Sequence, residues 1–330
     1  MRLHATAPAA DHPLRLEQVS EPEPGPGELL VRLTACGVCR TDLHVVEGDL
    51  PEARRPVIPG HMGVGRVLRS GPDTGGPAPG ERVGIAWLRG TCGSCEYCAE
   101  ERPNLCLSAR FTGYHEDGCY AEAAVVPAEW AYPLPEDLGD QQAAPLLCAG
   151  IIGYRALRLS RVQPGQRLGL YGFGNSAHIV MQLARHRGCE VYVASLREEH
   201  RTLAREMGAA WVGPADGVPD VGLHGAILFA PAGELVPPAL RALRRGGTLA
   251  CAGIHMSPIP AIDYDTALFG ERCLCSVTAN TREDGLGLLR EAAEIPLEPR
   301  VEVFPLEEAN EALARLKAGS IRGAAVLQMG

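Results

Sequence analysis

Four cysteines, Cys92, Cys95, Cys98 and Cys106, fall within one short stretch that opens Cys92-Gly93-Ser94-Cys95-Glu96-Tyr97-Cys98. Thiols at that spacing suit a single tetrahedral zinc ion, and Gly93 helps so short a loop wrap it. Four thiolates fill the coordination shell, so such a site is structural and leaves no position for a substrate. An iron–sulfur cluster is the alternative for four cysteines. Three further candidates, Cys39, His61 and Cys148, lie far apart in the chain. Two thiolates and one imidazole leave a tetrahedral zinc one open position, which metal-assisted catalysis requires. Taken singly, Cys148 in Leu146-Leu147-Cys148 also reads as core packing, and His61 in Pro59-Gly60-His61 as a turn residue.

A third segment with chemical potential is Gly172-Phe173-Gly174-Asn175-Ser176-Ala177. Gly172 permits a tight turn, Gly174 lets backbone approach a pyrophosphate, and Ala177 is small enough for helix–strand packing. The free N–H groups of a helix starting there would face the phosphates. An ordinary turn between strand and helix has the same bare pattern, so placement decides. Residues 167–171 read as a short buried strand before the turn, a helix follows from about 176 to 187, and a second strand covers 190–194.

The elements that must position these residues divide into two styles. Up to about residue 135 the chain reads as an irregular β domain, with short strands at 29–35, 63–68 and 82–86 and a Gly/Pro loop at 71–80. From 141 to 159 it is helix-like and apolar. Strands at 167–171, 190–194, 210–212, 226–229 and 248–252 then alternate with helices, the sign of a parallel sheet covered on both faces. A strand at 301–304, a helix at 306–318 and a strand at 324–327 close the chain. With 330 residues and 46% hydrophobic composition, two domains are expected. A net charge of −9 disfavours nucleic acid and anionic membranes as partners. No run is long enough to span a membrane and the N-terminus lacks a signal-peptide core, so the expected location is cytoplasmic.

The segments Gly37-Val38-Cys39-Arg40-Thr41-Asp42-Leu43-His44, Pro59-Gly60-His61 and the cysteine at 148, with the four-cysteine lobe after them, resemble the zinc-containing medium-chain alcohol dehydrogenases over essentially the whole chain. The turn at 171–178 is similar to the YGFGxSAH segment of a bacterial branch of that family. The resemblance implies an α/β chain with a GroES-like catalytic domain and a Rossmann cofactor domain. The catalytic domain would span 1–145 and 287–330, with the zinc lobe at 92–106, and the dinucleotide domain 146–286. It implies a catalytic zinc on Cys39, His61 and Cys148, and zinc rather than iron–sulfur on Cys92, Cys95, Cys98 and Cys106: two zinc ions per chain. The implied reaction is reversible hydride transfer from a zinc-bound alkoxide to C4 of a nicotinamide, with a small alcohol or aldehyde as partner and a homodimer or homotetramer as assembly. The runners-up are a non-catalytic dinucleotide-binding zinc protein or sensor, and a polyol or quinone oxidoreductase relative. The chain departs from the family at Met62, where relatives carry Glu after the catalytic His; methionine supplies no carboxylate.

By the same resemblance Thr41 and His44 relay the proton, Gly253 lies beside the nicotinamide, Arg322 contacts the pyrophosphate and Trp87 bounds the substrate pocket. Thr41 as a helix cap, His44 and Arg322 as surface residues and Trp87 as a core aromatic remain the alternatives. Residue 195, just past the second strand, is Ser195 where NAD-selecting enzymes place an acid. Arg197 stands two residues further on and suits a 2′-phosphate. NADP(H) is therefore favoured, with some use of NAD(H). The competing reading makes Arg197 part of a solvated helix start, paired to a glutamate.

Overall fold

Alternating burial makes the segment Glu28–Val38 the longest strand of the N-terminal sheet, with Leu29, Leu30, Val31, Leu33 and Cys36 buried. In the computed structural model, which describes residues 1–50, 54–217, 219–295 and 297–330, this strand pairs antiparallel with Gly63–Ser70, Ala123–Pro127 and Ala324–Gln328. Arg82–Ile85 and Ala131–Pro133 extend the sheet on one side and Val301–Pro305 on the other. These strands belong to a first compact unit, Met1–Ala149 with Ala279–Gly330.

The second unit, Gly150–Thr278, holds a six-stranded sheet, parallel throughout. Its strand order is Trp211–Gly213, Glu190–Ala194, Arg167–Tyr171, Leu223–Leu228, Leu243–Cys251, Cys273–Ser276. The expected pairing of an irregular β domain with a doubly wound parallel sheet is what the chain forms. The last strand was not expected: Cys-Leu-Cys-Ser is half-buried at the sheet edge and has neither an apolar run nor β-branched residues to mark it. Among the described residues no helix is long and apolar enough to cross a membrane.

The apolar stretch read as one helix over 141–159 is broken. An α-helix at Asp140–Pro145 passes into a π-helical turn at Leu146–Gly150, and the α-helix resumes at Ile151–Leu159. Pro145 has no N–H to continue the ladder, so the register changes there. Cys148 sits inside that wider turn.

Helix Arg282–Glu294, whose first turn was assigned above to the dinucleotide segment, lies in the first unit. It starts at a reciprocal cap: Thr281 Oγ1 accepts from the Asp284 N–H (3.2 Å) and Asp284 Oδ2 from the Thr281 N–H (2.9 Å). One turn in, Gly285 touches Tyr132 so closely that a Cβ would lie 2.3 Å from the ring. Alanine at an ordinary helix position gains about 1 kcal/mol over glycine, whereas overpacking a core costs about 1–3 kcal/mol. Gly285→Ala is therefore expected to lower stability by about 1 kcal/mol, read as an earlier urea midpoint by circular dichroism. An unchanged or later midpoint would show that Tyr132 yields at no cost.

Candidate active site

Cys39 ends the long strand and begins a helix, Arg40–Glu47. Its backbone is extended (φ −137°) and its Sγ accepts from the Thr41 N–H at 3.3 Å. Asp42 replies by accepting from the Cys39 N–H at 2.8 Å. The cap of this helix is thus Cys39, and the alternative that gave Thr41 that role is set aside. His61 follows Gly60, which has φ +95° and where a Cβ would lie 2.3 Å from the Tyr120 ring. With Cys148 on its π turn, three irregular local structures converge.

The ligand atoms of Cys39, His61 and Cys148 all lie within 4.8 Å of one another. Cys39 Sγ is 3.4 Å from His61 Nε2 and 4.0 Å from Cys148 Sγ. A tetrahedral zinc with its usual bond lengths separates sulfur from nitrogen by about 3.6 Å and sulfur from sulfur by about 3.8 Å. The residues fit that ion, with one face uncommitted. Behind the imidazole, Asp42 Oδ1 stands 3.1 Å from His61 Nδ1, an ionic contact off the hydrogen-bond axis, and both side chains are almost wholly buried. Burial alone lowers the His61 pKa, but the charges of Asp42 and Cys39 outweigh it and hold it well above the ordinary value. The hydrogen bond to Cys148, reinforced by burial, pushes the Cys39 thiol well up. A dication at the centre reverses both preferences, because it favours thiolate and neutral imidazole.

Cys92, Cys95, Cys98 and Cys106 form the second cluster. Their sulfurs stand 4.0 Å apart for Cys92–Cys98, 3.6 Å for Cys95–Cys98 and 3.5 Å for Cys106–Cys92, again around the tetrahedral separation. The backbone N–H groups of Ser94 and Cys95 pull the exposed Cys92 thiol down to about 6. Four sulfurs close this site.

Around the first cluster, Trp87 is half-buried and meets the His61 ring edge-on at 4.8 Å. Met62 is fully buried and its thioether lies over Gly37, where a Cβ would come within 2.9 Å of the sulfur. Its place is in packing between two strands. Thr41 lies in the first turn of its helix, and His44 Nδ1 is 2.7 Å from Asp49 Oδ2. Sequence reasoning missed Asp42, although the Cys39-x-x-Asp42 spacing is that of a reciprocal helix cap.

In the second unit, Gly172 has φ +87° and a Cβ there would lie 2.9 Å from the Ala230 nitrogen. A Cβ on Gly174 would meet nothing within 4 Å, so the turn opens on free space. Helix Asn175–His186 begins directly after it, and the buried Asn175 Oδ1 has no partner among the described residues. Gly172, Gly174, Asn175, Ser176 and Ala177 so form a cradle fit for a pyrophosphate. Ser195 is buried at the end of Glu190–Ala194. Arg197 is exposed at the N-cap of Glu198–Glu206, where Glu198 pairs with Arg201 and Arg205. Gly253 follows strand Leu243–Cys251, its virtual Cβ 2.9 Å from His255 O. Arg322 is exposed on the first unit and its N–H donates to Glu302.

Residues 25–136 match the Alcohol dehydrogenase GroES-like domain family and residues 177–294 the Zinc-binding dehydrogenase family. The chain is 52% identical to a probable alcohol dehydrogenase AdhA of Mycobacterium tuberculosis over 320 residues, which is 96% of this chain and 92% of that protein. It is 36% identical to an alcohol dehydrogenase of Geobacillus stearothermophilus, over 96% of each. Its fold matches a cinnamyl alcohol dehydrogenase of Sorghum bicolor with a TM-score of 0.88 at 26% identity, over 99% of this chain and 97% of that one. The chain therefore belongs to the zinc-binding medium-chain alcohol dehydrogenase family, with a GroES-like domain and a parallel-sheet dehydrogenase domain.

Proposed function

We propose that this protein is an NAD(P)-dependent alcohol dehydrogenase and aldehyde reductase with one catalytic and one structural zinc per chain. The observation that carries this reading is the convergence of Cys39, His61 and Cys148, from sequence-distant segments, on one three-donor site backed by a buried carboxylate. Zinc bound there supplies Lewis-acid polarisation of an alcohol or carbonyl oxygen, and the nicotinamide accepts or supplies the hydride. The protein's own residues do the rest. Cys39, Cys148 and His61 hold the metal, and Asp42 orients His61 so that Nε2 points to it. Trp87 bounds the substrate. Thr41 takes the proton from the substrate hydroxyl side and His44, steadied by Asp49, passes it outward. The first unit is the catalytic domain and the second the dinucleotide domain; the bacterial YGFGxSAH branch is the nearest description of its turn. Gly172, Gly174, Asn175, Ser176 and Ala177 cradle the pyrophosphate, Gly253 sits at the nicotinamide half and Arg322 reaches the phosphates. The assembly is a cytoplasmic homodimer or homotetramer.

The deciding experiment is a turnover screen of alcohols and aldehydes with both nicotinamide cofactors on zinc-loaded protein. Elemental analysis should give about two zinc per chain, falling to about one in Cys148→Ala with loss of turnover. About one zinc in the parent protein, with no turnover, would leave a structural zinc protein instead.

Asp42→Asn removes the charge behind His61 while keeping its shape. Zinc affinity at the catalytic site should fall about 10- to 100-fold in chelator competition, with the four-cysteine site unaffected. Equal loss at both sites, or none, would count against the orienting role.

NADP(H) is the favoured cofactor, because Ser195 brings no charge against a 2′-phosphate and Arg197 stands at the adjoining helix start. Arg197→Ala should lower kcat/KM for NADP(H) about 10- to 100-fold while sparing NAD(H). A parent preference for NAD(H), or indifference of NADP(H) use to this substitution, would show that the ribose pocket is misread.

A further inference from the structure

A buried guanidinium needs partners for its N–H groups, and Arg82 finds them on the segment that delivers Cys148. Arg82 opens the strand Arg82–Ile85 and its side chain is almost wholly out of water. Nε and Nη2 both donate to Asp140 Oδ1, at 2.8 and 2.6 Å, and Nη1 donates to Pro135 O. The other carboxylate oxygen, Asp140 Oδ2, accepts from Thr34 Oγ1 at 2.7 Å. Asp140 is the first residue of the helix that passes into the π turn Leu146–Gly150. Two residues along the strand, Gly84 faces the same way as Arg82 and meets the other end of that segment. A Cβ on Gly84 would lie 2.5 Å from Leu147 Cδ2, and Leu147 is buried and immediately precedes Cys148. One strand thus holds the segment at both ends, by a charged pair and by a steric contact. Thr34 belongs to the strand that leads to Cys39, so Asp140 also joins the supports of two candidate ligands.

We propose that Arg82, acting through Asp140, and Gly84, acting through Leu147, are positioning residues for Cys148, fixing the helix and its π turn so that the Cys148 sulfur stands 4.0 Å from that of Cys39. This inference rests on the zinc reading of that cluster. The helical ladder is interrupted at Pro145, so helical hydrogen bonds alone do not set where residue 148 falls. Support on both sides of the break does. Arg82 provides it through a planar donor set that fits one orientation of the carboxylate. Gly84 provides it by leaving room for one placement of Leu147 in a close-packed interior. None of these residues belongs to the four-cysteine lobe, which serves as the internal reference.

The test is chelator competition on zinc-loaded protein, which reads both sites in one sample. Gly84→Ala and Arg82→Gln should each weaken zinc binding at the Cys39, His61 and Cys148 site about tenfold or more, with the four-cysteine site unchanged. Leu147→Val, added to Gly84→Ala, makes room for the new methyl and should recover most of that loss. In cobalt-substituted protein the thiolate-to-metal charge-transfer absorption should fall in both single variants, because one sulfur no longer reaches its ion. A variant that only loosens the fold lowers the urea midpoint and leaves that absorption alone. Equal loss at both sites, or unchanged affinity and absorption in the folded variants, overturns the proposal. Two variants at separate contacts let one decide if the other does not fold. Should the parent hold only about one zinc, the zinc reading fails separately and the placement of Cys148 is read directly. A trivalent arsenical, which bridges neighbouring thiols, should then link Cys39 to Cys148 in peptide maps of the parent and not of the variants. No such link in the parent, or one that persists in the variants, overturns the placement.

Discussion

A carboxylate taken almost wholly out of water has to be compensated, and Asp42 is compensated by two of the candidate metal ligands. It accepts the Cys39 N–H at 2.8 Å and stands 3.1 Å from His61 Nδ1. Left unpaired, a buried charge costs several kcal/mol, of order the net contribution of many core contacts. The cheapest arrangement for Asp42 is therefore also the one that orders the site. It holds Cys39 in the extended cap geometry that begins the helix, and it takes the Nδ1 side of the imidazole so that Nε2 faces the sulfur of Cys39, 3.4 Å away. Two candidate ligands with the helix Arg40–Glu47 between them in the chain share one anchor.

The remaining constraints are steric. His61 is delivered by a glycine turn because Gly60 is pressed against the Tyr120 ring, and Gly113 and Gly118 are glycines because Gly60 occupies the space their side chains would need. Met62 is bound into the same packing, its thioether resting where Gly37 lacks a Cβ. Position 62 thus carries a buried apolar group packed on Gly37, next in sequence to the candidate ligand His61. Cys148 is presented by a π turn that a proline initiates. Each ligand stands on an irregular feature that the regular sheet around it over-determines.

That division explains what could be read from the sequence. The two candidate metal clusters and the glycine turn were legible because their chemistry restricts residue type and spacing, and the buried strands at 167–171 and 190–194 because parallel strands are continuous apolar runs. Cys273–Ser276 escaped notice as a short edge strand, and the break at Pro145 because apolar periodicity runs straight through it. Asp42 was overlooked as a motif letter, although its offset from Cys39 is a capping signal. Arg82 and Gly84 could not have been placed beside the Cys148 segment from sequence, since those contacts depend on where the strand Arg82–Ile85 meets the chain between 140 and 147. Local rules yield elements; that support is a tertiary fact.

The two sulfur sites show the same distinction in energetic form. Cys92 and Cys106 are separated by 14 positions, Cys39 and Cys148 by 109. Closing the longer loop costs about 2 kcal/mol more in chain entropy if nothing but the metal closes it. The lobe pays little for closure and could be ordered by an ion, which suits a short loop with a glycine in it whose Cys92, Cys95 and Cys98 are at least partly exposed and only Cys106 is buried. The other set cannot depend on its ion in that way, because its donors are brought together by the long strand, the His61 turn and the helix break, all of which are built from buried apolar contacts. A site assembled by the fold can leave one metal position unfilled by protein; a site assembled by the metal cannot, since every missing thiolate weakens its only tie. Of the two candidate clusters, the one that could keep an open coordination position is therefore that of Cys39, His61 and Cys148, which the fold assembles.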